Sequence, residues 1–373
     1  MKQKLKKERV CPRDAGGRIF APLHSPRTKN NERGALKDFF MLEILDYKEG
    51  LEITEPCVVR NIPIDVYHKM PALSNSGLKT LLNCPAKYYY KYLSGECEIK
   101  EKPAQKIGKA AHCYILEGRE KFEQIYWVNP YSKYSKDEKV KLIIEGFGYD
   151  VTIKNNPVSI IDEFLLESAG IEPREILLSD SELNQIITMA RTIRNDKKAN
   201  KALSQEGESE LSLFWQDEET GVWLKCRPDF MPYDCINFFD YKTSESADPR
   251  KFLTSFINYG YHIQAAMYEM GIKAVTGCSI ENFYFMVQEK EAPYITQLFN
   301  PEKTYMLYGQ KAVHNGIQKY LECKEKGIWE SYSDKVIELR IEPPPDDLNG
   351  FWDKENAICY APYWIDREFE RYE

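Results

Sequence analysis

Two apolar runs that flank a turn signal, each ending in charged residues, set the tightest limit on how this chain folds. Val222 to Phe230 is the first run, Pro232-Tyr233-Asp234 the turn, and Ile236 to Tyr241 the second run. The pattern predicts a β-hairpin. Asp229 ends its first strand, and Asp240 and Lys242 close its second. Side chains two apart on a strand share a face, so Asp240 and Lys242 point the same way, and hairpin pairing brings Asp229 alongside. Two carboxylates and a lysine are expensive to bury unless they hold a metal or pair with one another. Carboxylates are the ligands magnesium takes, completed by waters and phosphate oxygens. A lysine beside such a metal stabilises developing negative charge or orients an attacking water. An ordinary cross-strand Asp–Lys pair on a surface hairpin has the same D-x-K spacing, so the motif alone leaves both readings open.

The rest of the chain narrows the choice. At 373 residues and 43% hydrophobic content it is long enough for one large α/β domain with additions. It contains no apolar run of about 18 residues and no signal-peptide pattern, so no membrane partner is expected. Ten cysteines are scattered without a C-x-x-C pair. That spacing argues against a zinc ribbon and points to reduced thiols in a cytoplasm. A net charge of −7 is unlike a protein that coats DNA, so any nucleic-acid contact needs a local basic surface or metal ions. Residues 1–40 stand apart, with eleven Lys/Arg against four Asp/Glu and no apolar periodicity. They read as a disordered basic leader.

Several segments carry weaker signals. Ser74-Asn75-Ser76-Gly77-Leu78 has the serines of a helix N-cap, and Pro85 suits the first position of a second short helix. The tyrosines at 88, 89, 90 and 92, with Lys87 and Lys91, form either an aromatic–basic face for DNA or the rim of an amphipathic helix. In Lys106 to Glu120, Gly108, Ala110 and Ala111 permit close packing around His112, which is either a core histidine or a metal ligand. Glu117 lies five positions further on, about 140° around a 3.6-residue helix, so it is not expected to share an ion with His112. Tyr131 to Val140 is polar and lysine-rich and predicts a loop. Asp180-Ser181-Glu182 starts a helix whose apolar face is Leu183, Ile186, Ile187, Ala190 and Ile193. Glu208 to Trp215 alternates as the strand entering the hairpin. It carries Glu210, either a further acidic member of the site or a solvent glutamate on an edge strand. Phe252 to Ala274 predicts one helix in which Gln264 and Tyr268 share a face; with His262 in the same neighbourhood, the helix is placed either to brace Lys242 or to contact a nucleotide. Ile280 to Gln288 and Tyr294 to Phe299 predict strands, and Glu302 to Lys326 a long helix. From Ser333 onward the chain is acidic and aromatic.

Ser74-x-Ser76-x-Leu78 with Cys84-Pro85, Gly108…His112…Leu116-Glu117, Pro228-Asp229, Asp240-x-Lys242 and Gln264-x-x-x-Tyr268 occur in that order. The set resembles the RecB-like branch of the PD-(D/E)XK nucleases. K-C-R-P-D and D-Y-K-T are most similar to RecE-type (exonuclease VIII) nuclease domains. The resemblance spans roughly residues 50 to 330 and implies an α/β core with a central mixed β-sheet flanked by α-helices. The resulting division is a leader (1–40), an exonuclease domain (41–330) and an acidic C-terminal appendage (331–373). It also implies Mg²⁺-dependent cleavage of DNA, with Mn²⁺ able to substitute. His112, Asp229 and Asp240 would hold metal, Lys242 would serve the attacking water, and Gln264 and Tyr268 would support the site. Implied partners are double-stranded DNA ends, a single-strand annealing protein, and further copies of the chain in a ring. Relatives with iron–sulfur cysteines need a clustered trio near the C-terminus. Here only Cys323 and Cys359 stand there, far apart, so no iron–sulfur cluster is expected. A PD-(D/E)XK endonuclease of a defence or repair system would share every site residue, and a degenerate, DNA-binding module is the non-enzymatic alternative.

Because every motif residue lies at or beyond Ser74, removing residues 1–40 should leave metal binding and the cleavage rate at saturating DNA unchanged. Its basic side chains would still add phosphate contacts, so affinity in the truncated protein should fall less steeply with salt. A salt series that reads rate and apparent affinity separately checks this.

Overall fold

The computed structural model describes residues 44–97, 103–147, 155–171, 177–340, 352–353 and 358–360. The leader lies outside them. Strands β1 (Ile44–Asp46), β2 (Cys57–Arg60), β3 (Leu73–Ser74), β7 (Ser212–Gln216) and β8 (Trp223–Cys226) form a mixed five-stranded sheet in the order β1-β2-β7-β8-β3. A second sheet joins β10 (Asn237–Ser244) to β11 (Asn282–Glu289) in parallel, and β11 to β12 (Thr296–Phe299) antiparallel. The short strands β4 (Trp127–Val128) and β5 (Leu177–Leu178) pair in parallel, and β6 (Gly207–Ser209) and β9 (Phe230–Pro232) pair antiparallel, next to β10. Among the described residues no helix is long and apolar enough to cross a membrane.

The predicted hairpin is redrawn. The run Val222 to Phe230 is two strands, β8 and β9, interrupted at Arg227-Pro228-Asp229. The run entering it is also split, into β6 and β7, because Glu210 adopts the left-handed conformation at φ 59°. The two interruptions face each other: Ser209 pairs with Phe230 and Leu213 with Cys226, and the Glu210 amide donates to the Asp229 carbonyl at 3.3 Å. The hairpin is therefore β6–β7 against β8–β9, turning at Asp217 to Gly221, with a kink halfway along. β10 pairs with β11 instead, Asp240 opposite Phe285 and Lys242 opposite Val287. The reason is burial on both faces. Phe238, Phe239, Asp240 and Tyr241 are all buried, the near-continuous apolar run of a covered parallel strand.

Each face of β10 meets its own apolar layer. Phe238 joins Leu78, Tyr268, Phe283 and Phe285, whereas Phe239 and Tyr241 join Ile186, Met189 and Ile193 of the Asp180–Asn195 helix. That helix starts on a capping box, Ser179 accepting from the Glu182 amide while Glu182 reaches back to the Ser179 amide. The Asn75–Asn83 helix is capped by Ser74, which accepts from the Gly77 amide at 3.1 Å, and Pro85 opens the Pro85–Tyr88 helix as expected.

Two other expectations change. The helix from Phe252 to Ala274 is two, Pro249–Asn258 and Tyr261–Thr276, because Gly260 turns left-handed at φ 59° between them. The loop expected through Val140 is helical from Lys136, since Ser135 and Glu138 exchange capping bonds and Val140 and Ile143 pack on Ile161 and Leu165. In the C-terminal segment, Glu338–Arg340, Trp352–Asp353 and Ile358–Tyr360 form a small three-stranded sheet.

The Tyr261–Thr276 helix is pressed onto β10 by the Lys303–Lys326 helix. A Cβ at Gly309 would collide with the His262 carbonyl oxygen and the Ala266 methyl group. Gly309→Ala should therefore cost about 1–3 kcal/mol, the usual penalty of overpacking. Gly146→Ala, in a helix where a Cβ meets nothing within 4 Å, should gain up to about 1 kcal/mol. Urea midpoints at constant slope would check both.

Candidate active site

The kinked hairpin, β10 and the Pro103–His112 helix converge on one group of charged side chains. Small residues let the helix come close: a Cβ on Gly108 would lie 2.7 Å from Thr243 Oγ1 of β10, and Ala110 and Ala111 are fully buried. His112, the last residue of that helix, then stands between two carboxylates. Its Nε2 lies 3.1 Å from Asp229 Oδ2, and its Nδ1 3.9 Å from Glu210 Oε1. Asp229 occupies the kink between β8 and β9, and its carboxylate also accepts from the Tyr241 amide of β10. That bond joins the hairpin to β10 where strand pairing does not.

On β10, Asp240 Oδ2 is 2.6 Å from Lys242 Nζ. Gln264 Nε2 donates to Asp240 Oδ1 at 2.9 Å and to the Tyr268 hydroxyl at 2.9 Å, and that hydroxyl donates to the Arg227 carbonyl at 3.2 Å. Gln264 and Tyr268 thus fix Asp240 in place. The helix braces Asp240 through Gln264 and meets Lys242 through the Tyr261 ring, whereas His262 neighbours Phe256 and Lys79. Arg227 steadies the kink: its guanidinium stacks 4.2 Å over the Tyr67 ring and donates to Ser212 Oγ and the Ile62 carbonyl.

All five expected charged residues, His112, Glu210, Asp229, Asp240 and Lys242, come together. A sixth, Glu117, was not expected. The helix bearing His112 continues as a π turn over Cys113–Glu117, closed by the Gly118 amide donating to the Cys113 carbonyl at 3.0 Å. Bonds that skip five residues bring residues five apart over one another, where an α-helix would splay them. As a result, ligand atoms of His112, Glu117 and Glu210 lie within 4.8 Å of one another. Lys79 was missed as well; it reaches the neighbourhood of Asp240 and Lys242 from the Asn75–Asn83 helix.

The charges are strongly coupled. Burial by itself would push the His112 imidazole down, but Asp229, Glu210 and Glu117 together raise it to about 9. Burial lifts the Glu210 carboxyl to about 7 against the pull of His112. Burial would also raise Asp229, yet His112 and Lys242 hold it below the usual carboxylate range. Asp240 is pushed up by burial, with Lys242 opposing. Lys242 is desolvated, but Asp240 and Asp229 keep it firmly an ammonium.

A divalent cation suits this donor set. Carboxylate oxygens and one imidazole are ligands of Mg²⁺ and Mn²⁺. Buried His112 Nε2 and Asp240 Oδ2 face opposite charges, but neither has a hydrogen bond of good geometry. Groups of that kind are expected where an ion completes the coordination.

Fold and site together define a PD-(D/E)XK nuclease fold. The PDDEXK-like domain of unknown function (DUF3799) matches residues 74–341, and the chain belongs to that family. A crystal structure of a protein from Eubacterium rectale, assigned provisionally as an exonuclease, superposes with a TM-score of 0.47. It shares 16% sequence identity, over 76% of this chain and 90% of that one. No curated protein matches the chain.

His112 yields a pH prediction for the metal-free protein. Its folded value of about 9 lies above its ordinary 6.5. The imidazolium's contribution to stability is therefore complete below about 6.5 and is lost as pH rises through about 9. In EDTA, the difference in melting temperature between wild type and His112→Gln should shrink steadily across that window. A difference that is constant in pH would place His112 among packing residues.

Proposed function

We propose that this chain is a metal-dependent exodeoxyribonuclease that hydrolyses linear double-stranded DNA from 5′ ends, leaving 3′ single strands for recombination. The observation that carries the hydrolytic reading is the Lys242 ammonium, 2.6 Å from Asp240, at a mouth shared with Asp229, Glu210 and His112. End specificity and polarity rest on the likeness to RecE-type domains. So do free DNA ends and an annealing protein as partners, assembly into a ring, Mg²⁺ as the preferred ion, and a cytoplasmic setting.

In hydrolysis a water oxygen bonds to phosphorus, the bond to the leaving oxygen breaks, and charge grows on the phosphoryl oxygens. His112, Asp229, Asp240, Glu210 and Glu117 would hold the divalent cation. When bound, it supplies Lewis-acid stabilisation of that charge and acidifies the attacking water. Lys242 is held as an ammonium and accepts no proton. It orients the water and offsets the growing negative charge. The proton that the water sheds passes to solvent, and solvent returns a proton to the leaving oxygen. Gln264 and Tyr268 keep Asp240 in place throughout.

Linear duplexes labelled separately at each end, with and without Mg²⁺, test the proposal. Loss of the 5′ label first, only with metal, and no cleavage of covalently closed circles are expected. Nicking of closed circles would reject the exonuclease reading.

Asp240→Asn should lower cleavage by more than about 100-fold and weaken Mn²⁺ binding in calorimetry. The Gln264 bond to the remaining oxygen survives, so the variant should fold, with a lower melting temperature because Lys242 loses its nearest counter-charge. Unchanged metal binding would remove Asp240 from the ligand set.

A further inference from the structure

Beyond Lys242 the mouth of the site has a rim that the hydrolytic step leaves unused. Tyr261 opens the Tyr261–Thr276 helix, and the Lys242 ammonium lies 5.3 Å from the centre of its ring. The Tyr259 ring stands 5.8 Å from the Tyr261 ring, tilted by 41°, and Tyr259 is 61% exposed. Between the two tyrosines, Gly260 takes φ 59°, and a Cβ there would press on the Lys79 side chain at 2.8 Å. Lys79 fills that space from the Asn75–Asn83 helix and donates to the Tyr259 carbonyl at 2.8 Å. Burial, and then the charge of Lys242, bring its ammonium down to about 8.

This arrangement fixes the backbone under an exposed aromatic ring. The carbonyl of Tyr259 is tied to Lys79, the next residue is a left-handed glycine, and the ring leans on Tyr261. An ammonium has three donors, and among the described residues Lys79 makes one bond, to Tyr259. A ring open to water and a lysine with donors to spare therefore lie one aromatic ring away from Lys242.

Resting on the nuclease reading above, we propose that Tyr259 and Lys79 form a nucleotide subsite at the mouth. Tyr259 stacks on the base next to the scissile phosphate, and Lys79 takes the adjacent phosphate. The stacking is indifferent to base identity, since every base offers a π face. The subsite thus positions substrate without restricting sequence. The exposed neighbours Leu253 and Ile257 also allow a protein to dock on this rim, and the test separates that occupant from a nucleotide.

The test uses the full chain, Tyr259→Ala and Tyr259→Phe, on linear duplexes that carry one abasic nucleotide at successive positions from the end. Tyr259→Ala should raise KM roughly 5- to 150-fold, the range for one lost base stack, with kcat nearly unchanged. Tyr259→Phe should behave as wild type. At one position the abasic nucleotide should cost wild type the same factor and cost Tyr259→Ala nothing more. The melting-temperature shift produced by Mn²⁺ should be equal in all three proteins, because the variants leave the metal ligands alone. Wild-type KM in Tyr259→Ala, or equal sensitivity of both proteins to every abasic position, overturns the subsite, and the second result is the one a protein-docking rim gives. A binding arm in EDTA, with an oligonucleotide carrying fluorescent 2-aminopurine, is independent of cleavage. Quenching by wild type and not by Tyr259→Ala supports stacking, and equal quenching overturns it. A wild type that quenches but never cuts would reject the nuclease reading alone; one that cuts with no dependence on the abasic position rejects the subsite alone.

Discussion

Asp240 and Lys242 form an ion pair on a strand whose Phe238, Phe239 and Tyr241 bury apolar surface on both faces, and the surrounding structure answers the cost of putting it there. Asp240 is completely buried. Breaking such a pair by removing one partner typically costs about 3–5 kcal/mol, because a charge is left without compensation. The strand tolerates it because each atom is answered in turn. Lys242 covers one oxygen, Gln264 the other, Tyr268 holds Gln264, and the Arg227 carbonyl holds Tyr268. This chain of contacts crosses from β10 to the Tyr261–Thr276 helix and back to the kinked hairpin. The position of Asp229 relative to Asp240 thus follows from packing on both sides of one strand.

The second device is the imidazole of His112 between two acidic groups. In an uninterrupted α-helix, Glu117 would point away from it. The π turn at Cys113–Glu117 brings a second glutamate to the same side, at the expense of regular helical bonding. Glu210 reaches that point through another local departure, a non-glycine residue in the left-handed region. Such conformations persist only where the surroundings enforce them, and they cluster at functional sites. Two irregular backbones deliver two of the carboxylates, while the regular strand β10 delivers Asp240 and Lys242. Four carboxylates, one imidazole and the Lys242 ammonium gather there, with Lys79 and Arg227 close enough to act on them.

Among the helices, local chemistry explains most of what formed. Caps at Ser74 and Ser179, Pro85 at its first helical position and the apolar stripe from Leu183 to Ile193 all act over a few residues, and the structure contains each helix they specify. The Ser135 and Glu138 pair was equally local, but the lysines around it masked it as a loop. Gly260 carried its own signal too, since a glycine inside a helical pattern is as much a stop as a tolerated residue.

What the sequence by itself determined is the set of chemical groups and their order: Pro228-Asp229, Asp240-x-Lys242, His112, Glu210, and Gln264 with Tyr268 on one helical face. Alternation within β10 already placed Asp240 and Lys242 together, because a period of two is a property of the strand alone. Only tertiary structure decided the partner of β10, the kink that sets Asp229 against Glu210, and the shared side of His112 and Glu117. Strand partners are chosen by which apolar faces remain to be covered, and β10 has two, so it lies in parallel beside β11 with a helix layer on each face. Left-handed residues and π turns have no spacing of their own to read. They arise where close packing leaves the backbone no regular alternative.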